Sequence, residues 1–253
     1  MNFESKTVII TGATGGIGGE TVKKFLSKGA NVLATDIDSD NLKAMEQATD
    51  HGGRLKTFLV NVTKETDIQS MFNTALDAFG SVDILINNAG YEGKVKPFED
   101  QATEDYHNVM KVNVDGVFYG MKYAFKHMKK GSVILNVSSV AGLRGSANVA
   151  PYIASKHAVS GLTKTGALEG GPKGIRVNSI HPSPVDNRMM RSLEEGFAPG
   201  QGAAAKESLE AGIPLGRYAT NEDVANLIVF LASDEAAFIN GVQYRIDGGM
   251  GAS

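Results

Sequence analysis

The feature that most constrains this chain lies near its start. An apolar run, Thr7-Val8-Ile9-Ile10-Thr11, passes into Gly12-Ala13-Thr14-Gly15-Gly16-Ile17-Gly18 and then into a segment with Val22, Phe25 and Leu26 on one helical face. This is the pattern of a strand, a glycine turn and a helix. Glycines let the backbone turn tightly and approach a pyrophosphate closely, and the free N–H groups and positive dipole of a helix start favour its negative charge. The spacing Gly-x-x-x-Gly-x-Gly departs from the dinucleotide fingerprint Gly-x-Gly-x-x-Gly, and for the glycines alone a tight turn is the alternative. A second apolar run, Asn31-Val32-Leu33-Ala34-Thr35, ends on Asp36, eighteen residues after Gly18. A carboxylate there can accept both ribose hydroxyls of an adenine nucleotide.

A second constellation carries chemistry. Tyr152 and Lys156 are four residues apart in a segment that reads as helix, and Ser139 lies thirteen residues before Tyr152 at the polar end of an apolar strand. Residues i and i+4 share a helix face, so the Lys156 ammonium can lie beside the Tyr152 ring. A cation there is expected to lower the phenol's pKa and fit it for general acid–base work. A solvated lysine one turn from a tyrosine is the plainer reading of that pair alone.

Together these residues closely resemble the short-chain dehydrogenase/reductase family in its shorter form, over nearly the whole chain. Beside the glycine turn the sequence carries Asn87-Asn88-Ala89-Gly90, Asn113 within Lys111-Val112-Asn113-Val114, Asn136-Val137-Ser138-Ser139, Tyr152-Ile153-Ala154-Ser155-Lys156, His181-Pro182, Phe230-Leu231-Ala232-Ser233-Asp234 and Ile246-Asp247-Gly248-Gly249. The resemblance implies an α/β fold: one doubly wound Rossmann-type domain over residues 1–253, a parallel sheet with helices on both faces. Strands are expected near 6–11, 31–35, 55–60, 82–87, 132–138, 174–180 and 243–246. Gly12, Asp36, Asn61, Asn88, Ser139 and Pro182 then fall at strand ends, where such sheets bind ligands.

By the same resemblance, Tyr152 exchanges a proton with the substrate oxygen, Lys156 tunes Tyr152 and binds the nicotinamide ribose, and Ser139 holds the carbonyl oxygen. Ser138 is the neighbouring alternative, disfavoured by the thirteen-residue gap. Asn113 positions a water that links Lys156 to solvent. The expected cofactor contacts are Gly12, Thr14, Gly16, Ile17, Gly18, Asp36, Ile37, Asn61, Val62, Asn88, Ala89, Gly90, Tyr152, Lys156, Pro182, Ser183, Val185 and Asn187. Three positions depart from the family pattern: Asn61 replaces the usual Asp, Ser183 a glycine and Asn187 a threonine. Residues 184–214 read as a substrate lid, with Met189, Met190, Leu193 and Phe197 forming an apolar stripe and Glu194 and Glu195 facing water. The alternative is a helix packing its methionines into the core.

Composition narrows the function classes. Length, 253 residues, suits one α/β core, and the net charge of −3 with interspersed signs offers no basic patch for nucleic acid. There is no cysteine, hence no disulfide, thiolate nucleophile or cysteine zinc site. The five histidines, His51, His107, His127, His157 and His181, lack close ligand spacing, so no metal is expected and each reads as solvated or packing. No apolar run approaches a membrane span, and no leader precedes the first strand, so a cytoplasmic protein is expected.

The reading is therefore an NAD-dependent oxidoreductase interconverting a secondary alcohol and a ketone, of moderate hydrophobicity. Relatives imply a homotetramer built through helices around residues 103–125 and 152–169. The alternatives are an NADPH-dependent 3-oxoacyl thioester reductase, which needs a cation that Thr14, Asp36 and Ile37 do not supply, and a non-catalytic nucleotide sensor on the same fold.

Overall fold

The apolar runs become strands because parallel strands covered on both faces bury every side chain. In β1 (Thr7–Thr11) all five residues are buried, and β4 (Ile84–Asn87) and β5 (Val133–Val137) are buried throughout as well. The computed structural model describes residues 1–48 and 52–252. The remaining strands are β2 (Asn31–Asp36), β3 (Leu55–Leu59), β6 (Arg176–Pro182) and β7 (Gln243–Ile246). All pair in parallel, in the order β3-β2-β1-β4-β5-β6-β7. The seven strands fall where the sequence places them; β6 runs two residues further, to Pro182, because Pro182 pairs with Ile246 and Ser183 N donates to the Ile246 carbonyl.

Helices fill the connections: α1 (Gly16–Ser27), α2 (Ser39–Gln47), α3 (Glu65–Phe79), α4 (Thr103–Met110), α5 (Gly116–His127), α6 (Ala150–Gly170), α7 (Arg188–Phe197), α8 (Gly202–Ala211) and α9 (Asn221–Ala232). Alternation along β1 builds a core on each face of the sheet. Val8 and Ile10 pack with Val22, Phe25 and Ile228 beneath α1 and α9. Ile9 points the other way, to Ile68, Met71, Phe72 and Val117 beneath α3 and α5.

Strand order reverses beside β1, where β2 lies on one side and β4 on the other. The helices following β1 and β4 leave the sheet on opposite faces, so a crevice opens at the carboxyl ends of these strands. His51 lies outside the described residues, and among these no helix is long and apolar enough to cross a membrane.

Candidate active site

The crevice is a cleft of about 720 Å3, lined by the glycine turn, the ends of β2, β4, β5 and β6, one face of α6, and α7. Gly12 takes a φ of +64°, a conformation that favours glycine, and a Cβ there would lie 2.9 Å from the Ala89 Cα. A Cβ on Gly18 would collide with the Gly12 carbonyl oxygen. Gly15 caps α1 without a side-chain hydrogen bond, so the helix start offers its N–H groups to the cleft. Asn88 braces this turn: its Nδ2 donates to the carbonyls of Thr11 (2.9 Å) and Gly12 (3.0 Å), while Thr11 Oγ1 accepts from the amides of Asn88 and Ala89. A bare backbone cradle at a helix start suits a pyrophosphate.

Asp36 ends β2 at the rim. Its Oδ2 accepts from Thr14 N (3.0 Å) and Thr14 Oγ1 (2.7 Å), and its Oδ1 accepts from the amides of Ile37 (2.7 Å) and Asp38 (3.3 Å). A carboxylate has about four acceptor positions, so ribose hydroxyls would have to replace the rotatable Thr14 hydroxyl and the long Asp38 contact. Asp38 lines the same end, and among the described residues no lysine or arginine of β2 or α2 lines the cleft. Asn61 and Val62 also line the cleft, but Asn61 Oδ1 is turned back onto Thr63, accepting from its amide (3.0 Å) and hydroxyl (2.8 Å). Asp67 accepts from the Asn61 backbone N–H at 3.1 Å without itself lining the cleft.

Ser139, Tyr152 and Lys156 meet at the other end. Ser139 Oγ caps a short turn, accepting from Ala141 N at 3.1 Å, and lies close enough to the Tyr152 phenol to favour its ionisation. Ser138 is instead buried and donates to the Lys156 carbonyl at 3.0 Å. Lys156 is 4% exposed. Its Nζ lies 5.5 Å from the Tyr152 ring centroid and donates to the Val137 carbonyl at 2.9 Å.

The proton affinities correct one expectation. Burial pushes Lys156 down to about 8. Burial also pushes Tyr152 up to about 12, opposed by the nearby Ser139 hydroxyl and reinforced by the charge of Glu92. The lowered phenol pKa expected from Lys156 is therefore not the balance struck here, because desolvation of the phenolate outweighs the opposing effect of Ser139. The Tyr152 ring is only partly buried where it faces the cleft, and water there tempers that push.

Asn113 lies in a π-helical turn, Lys111–Asp115, between α4 and α5. Its Oδ1 accepts from Tyr91 N (2.8 Å), and its Nδ2 donates to the Tyr91 carbonyl (2.9 Å) and to Ser155 Oγ (3.0 Å). The side chain thus pins the loop after β4 to α6, with no donor left for a water. A Cβ on Gly90 would lie 3.6 Å from Asn113 Oδ1 and 3.7 Å from Lys156 Nζ, so the three residues do converge.

Pro182, Ser183, Val185 and Asn187 line the cleft beyond β6. Asn187 caps α7 by accepting from Met190 N at 3.4 Å. Residues 184–214 form α7 and α8, and Met189, Met190, Leu193 and Phe197 line the cleft. Met190 and Leu193 also pack with Val149, Ile213 and Tyr218, so the stripe both lines the cleft and packs into a core cluster. Glu195 is exposed as expected, but Glu194 is 2% exposed. It pairs with Arg191 at 3.0 Å and lies close to the buried Tyr218 phenol, whose hydroxyl has no hydrogen-bond partner among the described residues. The Arg191 charge one helical turn away supplies part of what water would have supplied.

Two further residues bear on the site, His181 from the His181-Pro182 motif and Arg188, which carries no local sequence signal. His181 is fully buried, with Nδ1 2.7 Å from the Ser139 carbonyl and Nε2 2.8 Å from Ser179 Oγ. Arg188, at the start of α7, lines the cleft and faces Glu92.

A family model described as Enoyl-(Acyl carrier protein) reductase matches residues 12–251. The chain is 36% identical to cyclohexanol dehydrogenase of an Acinetobacter species, covering 97% of this chain and 95% of that one. It is also 36% identical to 3-oxoacyl-(acyl-carrier-protein) reductase FabG of Thermotoga maritima, over 99% of both. The crystal structure of levodione reductase superposes with a TM-score of 0.97 at 32% identity, over the full length of both chains. With the motifs in order along one parallel sheet and this likeness over nearly the whole length, the chain belongs to the short-chain dehydrogenase/reductase family.

Proposed function

We propose that this oxidoreductase is NAD-dependent and interconverts a secondary alcohol and a ketone, with Tyr152 as the general acid and base. The observation that carries the reading is the convergence of Ser139, Tyr152 and Lys156 at one end of a cleft whose other end is a glycine cradle closed by Asp36. The nicotinamide, when bound, supplies the hydride. Tyr152 holds a proton on its phenol oxygen, ready for the carbonyl oxygen, and takes it back in the oxidative direction. Ser139 orients that carbonyl from the rigid end of β5. Lys156, buried beside the ring, opposes the cost of the phenolate. Asn113 holds the loop carrying Gly90 against α6. The lid over residues 184–214 closes the substrate end with apolar side chains, excluding water.

Asp36 and Asp38 support NADH over NADPH, since a 2'-phosphate would meet carboxylates while, among the described residues, no lysine or arginine of β2 or α2 lines the cleft. The cyclohexanol and levodione relatives support a compact cyclic ketone or alcohol. The likeness to FabG favours a second reading, an NADPH-dependent thioester reductase, which the acidic rim opposes. A nucleotide sensor would have no use for Tyr152 beside Ser139. The protein is one catalytic unit assembled as a homotetramer through α4, α5 and α6; the exposed Phe118 and Leu168 on these helices support such contacts. The test is NADH oxidation across a panel of cyclic and open-chain ketones. Turnover of at least one ketone is expected, and none with any of them would overturn the reading.

A further inference from the structure

One buried acidic side chain has no task in that chemistry. Glu92 lies two residues past Gly90 on the loop leaving β4 and is 4% exposed. Its Oε1 is 3.5 Å from Nη1 of Arg188, whose side chain is 79% exposed. Its buried Oε2 has no hydrogen-bond partner in the structure. Taking a carboxylate oxygen out of water without replacing its hydrogen bonds is costly, and a 3.5 Å approach by an exposed guanidinium is too long to be a strong charge-assisted bond. Such a group calls for a partner.

The surroundings show where that partner would sit. Glu92 lines a second cavity, of about 600 Å3, between residues 91–96 and α7. Arg188 lines both this cavity and the main cleft, so that largely exposed side chain stands between the two spaces. Tyr152 feels the Glu92 charge, which places the carboxylate within electrostatic reach of the reacting phenol. Lys94, Lys96 and Arg188 line the same cavity. With Glu195 and Glu92 beside them the lining charge is nearly balanced, which leaves a neutral donor as the fitting partner.

Resting on the ketone-reductase reading, we propose that Glu92 is a specificity-determining residue whose Oε2 accepts a hydrogen bond from a second hydroxyl of the substrate. The favoured substrates are then hydroxyketones and the diols formed from them. In the reductive direction the carbonyl carbon gains a hydride from the reduced nicotinamide and its oxygen gains the Tyr152 proton. The nicotinamide is oxidised, the ketone is reduced, and the second hydroxyl makes and breaks no covalent bond.

The test compares kcat/KM for cyclohexanone with that for 2-, 3- and 4-hydroxycyclohexanone, in wild type, Glu92→Gln and Glu92→Leu. At least one hydroxy isomer should exceed cyclohexanone by about tenfold or more in wild type. That ratio should shrink in Glu92→Gln, which keeps a neutral acceptor, and fall to about one in Glu92→Leu. Melting temperature gives a second readout. A residue kept for structure would lose stability as Leu, whereas an orphaned carboxylate kept for substrate should melt no lower. Turnover of cyclohexanone with no hydroxy isomer preferred, or an unchanged preference in Glu92→Leu, overturns the subsite while the ketone reading stands. Turnover of no ketone in this set or in the wider panel removes both.

Discussion

His181 Nδ1 lies 2.7 Å from the carbonyl oxygen of Ser139, tying a fully buried imidazole on β6 to the residue beside the Tyr152 phenol. Because that carbonyl only accepts, Nδ1 carries the proton and Nε2 is left to accept from Ser179 Oγ. Burial pushes the His181 pKa down to about 4, against the Ser139 hydrogen bond, which favours protonation. A base with a depressed folded pKa binds its proton more readily in the unfolded chain. Its stabilisation is therefore full above the unfolded value near 6.5 and is lost as pH falls from there toward about 4.

The melting temperature should accordingly drop across that window in wild type. His181→Gln should remove much of the pH dependence while lowering stability at pH 7. An identical acid-side slope in the variant would show that other groups set it.

Lys156 and Tyr152 make a second pH prediction. The ammonium 5.5 Å from the ring favours the phenolate. Removing it in Lys156→Met should raise the phenol's pKa further, so the rising limb of alcohol oxidation against pH should move to higher pH by about one unit or more. Reduction, which uses the protonated phenol, should keep its pH dependence near neutrality. An unmoved oxidative limb would mean that Lys156 does not act on Tyr152.

How far the site was legible in the sequence differs from residue to residue. The strands announce themselves because burial on both faces demands uninterrupted apolar runs such as Ile84-Leu85-Ile86. The glycine turn, Asp36 and the Tyr152–Lys156 pair are local patterns, and local spacing fixes them. Glu194 could not be read so, since an acidic residue on a helix faces water by default and its burial follows from how α7 packs against Ile213 and Tyr218 from a distant loop. Nothing in Lys111-Val112-Asn113 marks a π-helical turn. The proton affinity of Tyr152 likewise depends on how much protein surrounds the ring, which spacing along a helix does not record.

Cofactor choice turns on the acidic rim. NADH should be preferred over NADPH by roughly a hundredfold or more in kcat/KM. Asp36→Ala should shrink that ratio, and it should also release the Thr14 amide and hydroxyl from their carboxylate. Adding Ile37→Arg should reverse the preference. Equal use of both cofactors by wild type would show that the Asp36 carboxylate does not face the ribose.

The central claim, that the Tyr152 phenol carries the proton, is tested most directly by single-site replacement with Phe. Tyr152→Phe keeps the ring against Ile153 and Met189 in the lid cluster and removes only the hydroxyl that meets Ser139. Turnover of an active ketone should fall by about a hundredfold to ten-thousandfold, with NADH affinity, measured by fluorescence titration, retained. Near-normal turnover in that variant would contradict the account.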